Sequence, residues 1–145
     1  MLRRLNLSLK RDEALRATRV LVRNSHLVYV LVADKRLKYP DGRSRIAYIG
    51  TTKKGVARIA ESVAVRAGDI LGLPGVRSFH ARIITCAPRR RVPTWKKLER
   101  ALLLAFRKQF GGPPRCNIHG KRMKETDEFL YFAESGVKHV LNELQ

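Results

Sequence analysis

Acidic residues are scarce in this chain: 12 Asp plus Glu stand against 31 Lys plus Arg, giving a formal net charge of +19 and a sequence pI near 11.1. A folded chain this basic favours a polyanion nearby, and phosphodiester backbones are the commonest one. Long apolar runs are missing as well. No stretch reaches the roughly 18 consecutive apolar residues of a spanning helix, and Met1-Leu2-Arg3-Arg4 lacks the apolar stretch of a secretory signal. Neither membrane insertion nor export is expected, and the chain reads as cytoplasmic. Cysteine is limited to Cys86 and Cys116, which form no CxxC pair. A structural disulfide is not expected in a reducing compartment. His80, Cys86, Cys116 and His119 offer four zinc-type donors, but their spacings match no finger or ribbon. The chain is nevertheless no disordered polycation. Its hydrophobic content of 44% suffices for a core, and 145 residues suit a single domain, domains usually having about 100–200.

The first 25 residues form a basic segment in which Asp12 to Ala17, acids before bases, is expected to open a short helix. Leu27-Val28-Tyr29-Val30-Leu31-Val32 has the β-branched, aromatic and aliphatic content of a buried strand. Tyr39-Pro40-Asp41-Gly42 is a turn signal, and a second strand is expected at Arg45–Ile49. Between them a long basic tip carries Lys35, Arg36, Lys38 and Arg43. From Lys54 to Ala67, Val56, Ile59, Ala60, Val63 and Ala67 recur every three or four residues, the spacing of an amphipathic helix. Gly68 and Gly72-Leu73-Pro74-Gly75 are expected to break it. A third strand is expected over Phe79–Cys86 and a basic loop at Arg89-Arg90-Arg91. Thr94 should then cap a helix from Trp95 to Phe110, ended by Gly111-Gly112-Pro113-Pro114. Glu128–Phe132 fits a strand or half-turn, and Val137–Leu144 a short helix. The first two strands are joined by a turn and not by a helix. The expected fold is therefore α+β, a small three-stranded antiparallel sheet flanked by helices.

The motifs become specific around the two strands. Leu27-Val28-Tyr29 and Tyr48-Ile49-Gly50 resemble the two halves of the motif that names the GIY-YIG endonucleases, a family that includes homing-type and excision-repair incision nucleases. The second half is intact, and the first keeps its tyrosine but has Leu27-Val28 where the family has Gly-Ile. The family's arginine, eight residues after the last glycine of the motif, falls on Arg58. Its glutamate falls on Glu99 in the long helix, and its asparagine, after a proline break, on Asn117. The resemblance spans residues 26–118, and residues 119–145 then form an extension packed on the same domain. Departures are Ser62 where homing-type members carry histidine, Thr51 where repair-type members carry lysine, and a tyrosine separation of 19 residues, longer than is usual.

The resemblance implies metal-dependent hydrolysis of phosphodiester bonds in DNA. It makes Glu99 the ligand of Mg²⁺ or Mn²⁺, a hard cation that keeps several waters and also holds the phosphate. Arg58 would offer its planar fork to the phosphate. Tyr29 would act as general base or orient the attacking water with Tyr48 beside it, and Asn117 would orient the shell. Each residue also has a plain structural reading: cross-strand packing for the tyrosines, a solvated charge for Arg58, a surface ion pair for Glu99, a turn for Asn117. Glu99 departs from its plain reading because it borders the apolar face marked by Trp95, Leu98, Leu102 and Phe106, where a carboxylate needs a partner. For the nucleic acid itself the expected contacts are Lys35, Arg36, Lys38, Arg43, Lys53, Lys54, Arg89, Arg90, Arg91, Lys121 and Arg122. Phosphate contacts of this kind give affinity without sequence choice. Two other readings share the charge: a non-catalytic nucleic-acid-binding module, and a nuclease directed at RNA. With one site per chain, cutting both strands would require a dimer or two successive events.

Overall fold

Two strands joined by a tight turn organise the protein, described here by a computed structural model of residues 3–145. Met1 and Leu2, part of the N-terminal stretch weighed above as a signal, lie outside the described residues. β1 (Leu27–Tyr39) and β2 (Gly42–Thr52) pair antiparallel, and β3 (Phe79–Ile84) joins the other side of β1, giving the order β2-β1-β3. The antiparallel three-stranded sheet expected of the sequence is present. The long basic tip is not. Ladder pairing runs through Leu37↔Ser44, Lys38↔Arg43 and Tyr39↔Gly42, so only Pro40 and Asp41 remain as the turn. Leu37 and Tyr39 are buried and draw the strand ends into the core, which extends the ladder past the charged stretch.

Helix α1 (Val56–Leu71) continues through Gly68 instead of stopping there, because Ile70 is fully buried and holds the last turn against the core. Helix α2 (Thr94–Phe110) packs across β2 and β1 through Leu98, Leu102 and Phe106. Thr94 is its first residue and provides no side-chain cap, contrary to expectation, since Pro93 occupies the cap position. Gly111, at φ 79, ends α2 in the left-handed conformation that glycine adopts without a Cβ penalty. α3 (Glu128–Tyr131), a single helical turn where a strand or half-turn was expected, and α4 (Glu134–Glu143) both pack on α2. Fully buried Glu128 ties α3 to Arg100 at 2.6 Å. Burial alone would push that carboxyl up, but Arg100 and the Thr126 N–H and hydroxyl outweigh it and hold the pKa at about 2.

Residues 3–26 make no helix or strand, so the helix expected near Asp12 is absent. Arg16 and Glu13 do pair there, as solvent-exposed neighbours. The segment is anchored only near its end, where the Ser25 carbonyl accepts the Gly55 N–H and the His26 ring lies 3.9 Å from Trp95. No helix among the described residues is long and apolar enough to cross a membrane.

Candidate active site

The register of β1 on β2 creates the centre of the site. Tyr29 stands opposite Gly50, and Leu31 opposite Tyr48. Directly paired residues share a face, so the two tyrosines are diagonal neighbours on one side of the sheet, with ring centroids 5.9 Å apart. Gly50 makes this possible. A Cβ there would stand 2.6 Å from Tyr48 Cε1 and 2.9 Å from each tyrosine hydroxyl, so the two hydroxyls converge over a position only glycine leaves open.

Three further groups meet this pair. Arg66 of α1 lies over the Tyr48 ring, its guanidinium carbon 3.8 Å from the centroid. Glu99 of α2, beside the Thr51 side chain, lies near enough for its charge to act on the Tyr48 phenol. Burial pushes the Glu99 carboxyl above the usual glutamate range, while Thr51, Lys96 and Arg100 act in the opposite direction. Glu99 makes no ion pair among the described residues, so its charge is only partly compensated. Burial pushes the Tyr48 phenol to about 12, the nearby Tyr29 hydroxyl and Glu99 adding to the shift and Arg66 opposing it. Tyr48 is therefore a hydrogen-bond donor throughout the neutral and mildly alkaline range.

Tyr29, Tyr48 and Glu99 are thus brought together. Arg58 is not in direct contact with them. It pairs with Glu61 one helical turn on and is half exposed. It does share a depression of about 150 Å³ with Ser62 and Arg66, so four-residue steps along α1 lead from Arg58 to the arginine that covers Tyr48. Asn117 acts on the site from behind. Its Oδ1 accepts the Ile49 N–H at 3.0 Å and its Nδ2 donates to the Ile49 carbonyl at 2.8 Å. With the Cys116 N–H donating to Ala47, it closes the outer edge of β2 and fixes the residue between Tyr48 and Gly50. Both polar atoms of the Asn117 amide thus grip the strand that carries the site.

Of the expected nucleic-acid contacts, Lys53 and Lys54 are exposed directly after the site strand. Arg89, Arg90 and Arg91 form a tight exposed turn before α2, with Arg91 at φ 62 and Arg89 over the Tyr131 ring. Lys121 and Arg122 are exposed on the loop beyond Asn117. Lys35, Arg36, Lys38 and Arg43 lie toward the turn end of the hairpin, against the C-terminal end of α2 through the Asp41 N–H on Phe110. At about 3.3 Å per residue, Lys38 is roughly 30 Å along the strand from Tyr29. Sequence reasoning missed Arg66, although its eight-residue distance from Arg58 places it two turns further along one helix side.

Histidine, cysteine and acidic side chains form no group of three or more among the described residues, so the four residues weighed for zinc do not assemble. A cation at this site would rely on Glu99 and otherwise on water and phosphate oxygens. That is how Mg²⁺ is commonly held, by one or two carboxylates plus substrate. An under-compensated carboxylate beside two hydroxyls fits such an ion. Family models, curated proteins and solved structures all return no match to this chain.

Proposed function

We propose that the chain is a metal-dependent endonuclease that hydrolyses phosphodiester bonds in DNA through a site of the GIY-YIG type. The observation that carries the reading is Glu99: a half-buried carboxylate without an ion-pair partner among the described residues, beside Thr51 and near the Tyr48 phenol, which Arg66 covers and whose hydroxyl converges on that of Tyr29. A binding surface alone has no use for such a group, since an anion there repels phosphate.

Hydrolysis forms one P–O bond from water and breaks the opposite P–O bond to the sugar oxygen. Tyr29 orients the attacking water. Tyr48, kept protonated, donates toward Tyr29 and fixes the direction in which that hydroxyl accepts. Arg66, with Arg58 along the same groove, supplies guanidinium donors to phosphate oxygens as negative charge builds on them. The water proton passes to the Tyr29 oxygen as Tyr29 gives its own hydroxyl proton to solvent, and the departing sugar oxygen takes a proton from solvent. Mg²⁺ or Mn²⁺, when bound at Glu99, supplies further positive charge to the phosphate.

The test is incubation with supercoiled plasmid, with and without Mg²⁺, against Glu99→Gln. Wild type should nick the plasmid only with metal, and the variant should lose cleavage by about two to three orders of magnitude, the scale of removing a central electrostatic group. It should bind DNA at least as well, because one repulsive charge is gone. It should also melt higher than wild type, by an amount that depends on pH. A carboxyl whose folded pKa is raised destabilises the fold progressively as pH rises from the ordinary glutamate range to the raised value, and fully above it. The gain from glutamine should thus be small near pH 4 and largest at neutral pH. Intact plasmid and RNA under Mg²⁺ and Mn²⁺ would leave a binding module as the reading.

A further inference from the structure

The loop beyond Asn117 builds a second concavity. Arg100, Ile118, His119, Lys121, Arg122 and Met123 enclose about 450 Å³, against about 150 Å³ at the Arg58–Arg66 depression. The loop is tied down from α2. Arg107 Nη1 donates to the carbonyls of Gly120 and Lys121 at 2.9 and 3.2 Å, and Arg100 Nη2 to the Lys124 carbonyl at 2.6 Å. Three carbonyls that would otherwise put negative charge on the cleft are thus engaged by arginines.

Charge and hydrophobicity are separated within the cleft. Arg100 is neutralised by Glu128, whereas Lys121 and Arg122 have no acidic partner among the described residues. Ile118 is 83% exposed and offers its aliphatic surface to the cleft, and Met123 reaches there from the core edge. A site for inorganic phosphate would need the cations alone. Two free cations beside an uncovered aliphatic surface and an imidazole suit a phosphate with a base attached, and the volume lies in the range of small-ligand sites. A base stacked inside a duplex cannot reach such a surface. An unstacked one can.

The cleft is joined to the tyrosine cluster through the chain. Its first residue, Ile118, follows the asparagine that grips Ile49 between Tyr48 and Gly50, and its Arg100 follows Glu99 in α2. We propose that the cleft receives an unpaired nucleotide flanking the bond presented to the tyrosine site, so that the preferred partner is nucleic acid with a bulged or single-stranded segment and not continuous duplex. The proposal rests on the nucleic-acid partner of the proposed function, but not on cleavage.

Binding of the full chain carrying Glu99→Gln, without divalent metal, separates the two. Two DNA oligomers of equal length carry 2-aminopurine, one in a pair with thymine and one in a single-base bulge, and affinity is read by titration. The bulged oligomer should bind about tenfold or more tighter, the scale of one base laid on an apolar surface, with a change in 2-aminopurine emission. Ile118→Ala with Met123→Ala should bring the affinity ratio toward one. Equal affinities for the two oligomers overturn the proposal, as does a ratio unmoved by the double substitution. If neither oligomer binds, the nucleic-acid reading falls with it. A bulge preference in a protein whose wild type cuts nothing leaves the cleft standing and removes only the nuclease reading.

Discussion

Each end of the β1–β2 hairpin carries a tyrosine whose phenol burial pushes to about 12, Tyr39 at the turn and Tyr48 at the open end. Tyr39 is complete. Its hydroxyl donates to the Ile46 carbonyl at 2.6 Å and accepts the Arg115 N–H at 3.0 Å, and its ring meets Phe106 edge-on at 5.0 Å. Among the described residues the Tyr48 hydroxyl has no backbone partner of that kind. Tyr48 is half-buried between Arg66 and Glu99, with its hydroxyl converging on that of Tyr29 over Gly50. The same shift thus arises at a finished packing site and at an unfinished polar cluster. Burial alone does not mark function. What separates the two is whether backbone groups already fill the hydroxyl, as they do at Tyr39.

The largest effect that would sharpen this contrast is expected from Gly50→Ala. The added methyl displaces both tyrosine rings, and a misplacement of about 1 Å in a catalytic group costs roughly 100-fold in rate. The backbone at Gly50 is not left-handed, so the fold should survive with a loss of about 1–3 kcal/mol from overpacking. Single-turnover cleavage and a thermal melt measured side by side check it. An unchanged cleavage rate would mean that the converging hydroxyls take no part in the chemistry.

Tyr39→Phe should do the reverse. It leaves the Ile46 carbonyl and the Arg115 N–H without their buried partner, which costs about 1–3 kcal/mol of stability. Per folded molecule, cleavage should be unaltered. Tyr29→Phe is its counterpart, slowing the chemical step with little change in the denaturant midpoint. If the two variants behave alike, the ends of the hairpin do not differ as described.

Much of this architecture was legible in the sequence because it depends on local pattern. The apolar run at Leu27–Val32, the three-and-four spacing of Val56 to Ala67 and the glycine stop after Phe110 each fix an element, whatever packs on it. What stayed illegible was tertiary. Strand pairing resumes from Leu37 to Tyr39 because Leu37 and Tyr39 are drawn into the core, Tyr39 against Phe106 and Phe110 at the end of α2. Gly68 stays helical because Ile70 is anchored. At the site, Tyr29, Tyr48 and Glu99 were identifiable by type and order, whereas Arg66 and the attachment of Asn117 to Ile49 depend on where α1 and the post-proline segment come to rest. Sequence spacing assigns residues to elements. It does not say which atom a side chain will reach.

The smallest expected effect concerns the cations at the two ends. Neutralising Lys53 and Lys54, exposed beside Thr51 and Thr52, should weaken duplex binding and flatten its salt dependence by about one logarithmic unit of slope per lysine, if each contacts one phosphate. Neutralising Lys35, Arg36, Lys38 and Arg43 together removes more charge yet should change the slope less. The Lys35 amine is packed against Gly75, the Lys38 carbonyl is held by Arg115, and the turn rests on the end of α2. A substrate centred on Tyr29 would have to extend roughly 20–30 Å along the sheet to meet them. Screening at physiological salt, with a Debye length of about 8 Å, removes any influence over that distance. The measurement is the slope of log affinity against log salt for wild type and both variants on the same duplex. Should the four-residue variant lose the larger slope, the nucleic acid must run along the whole hairpin, and the turn end would be part of the interface instead of its structural opposite.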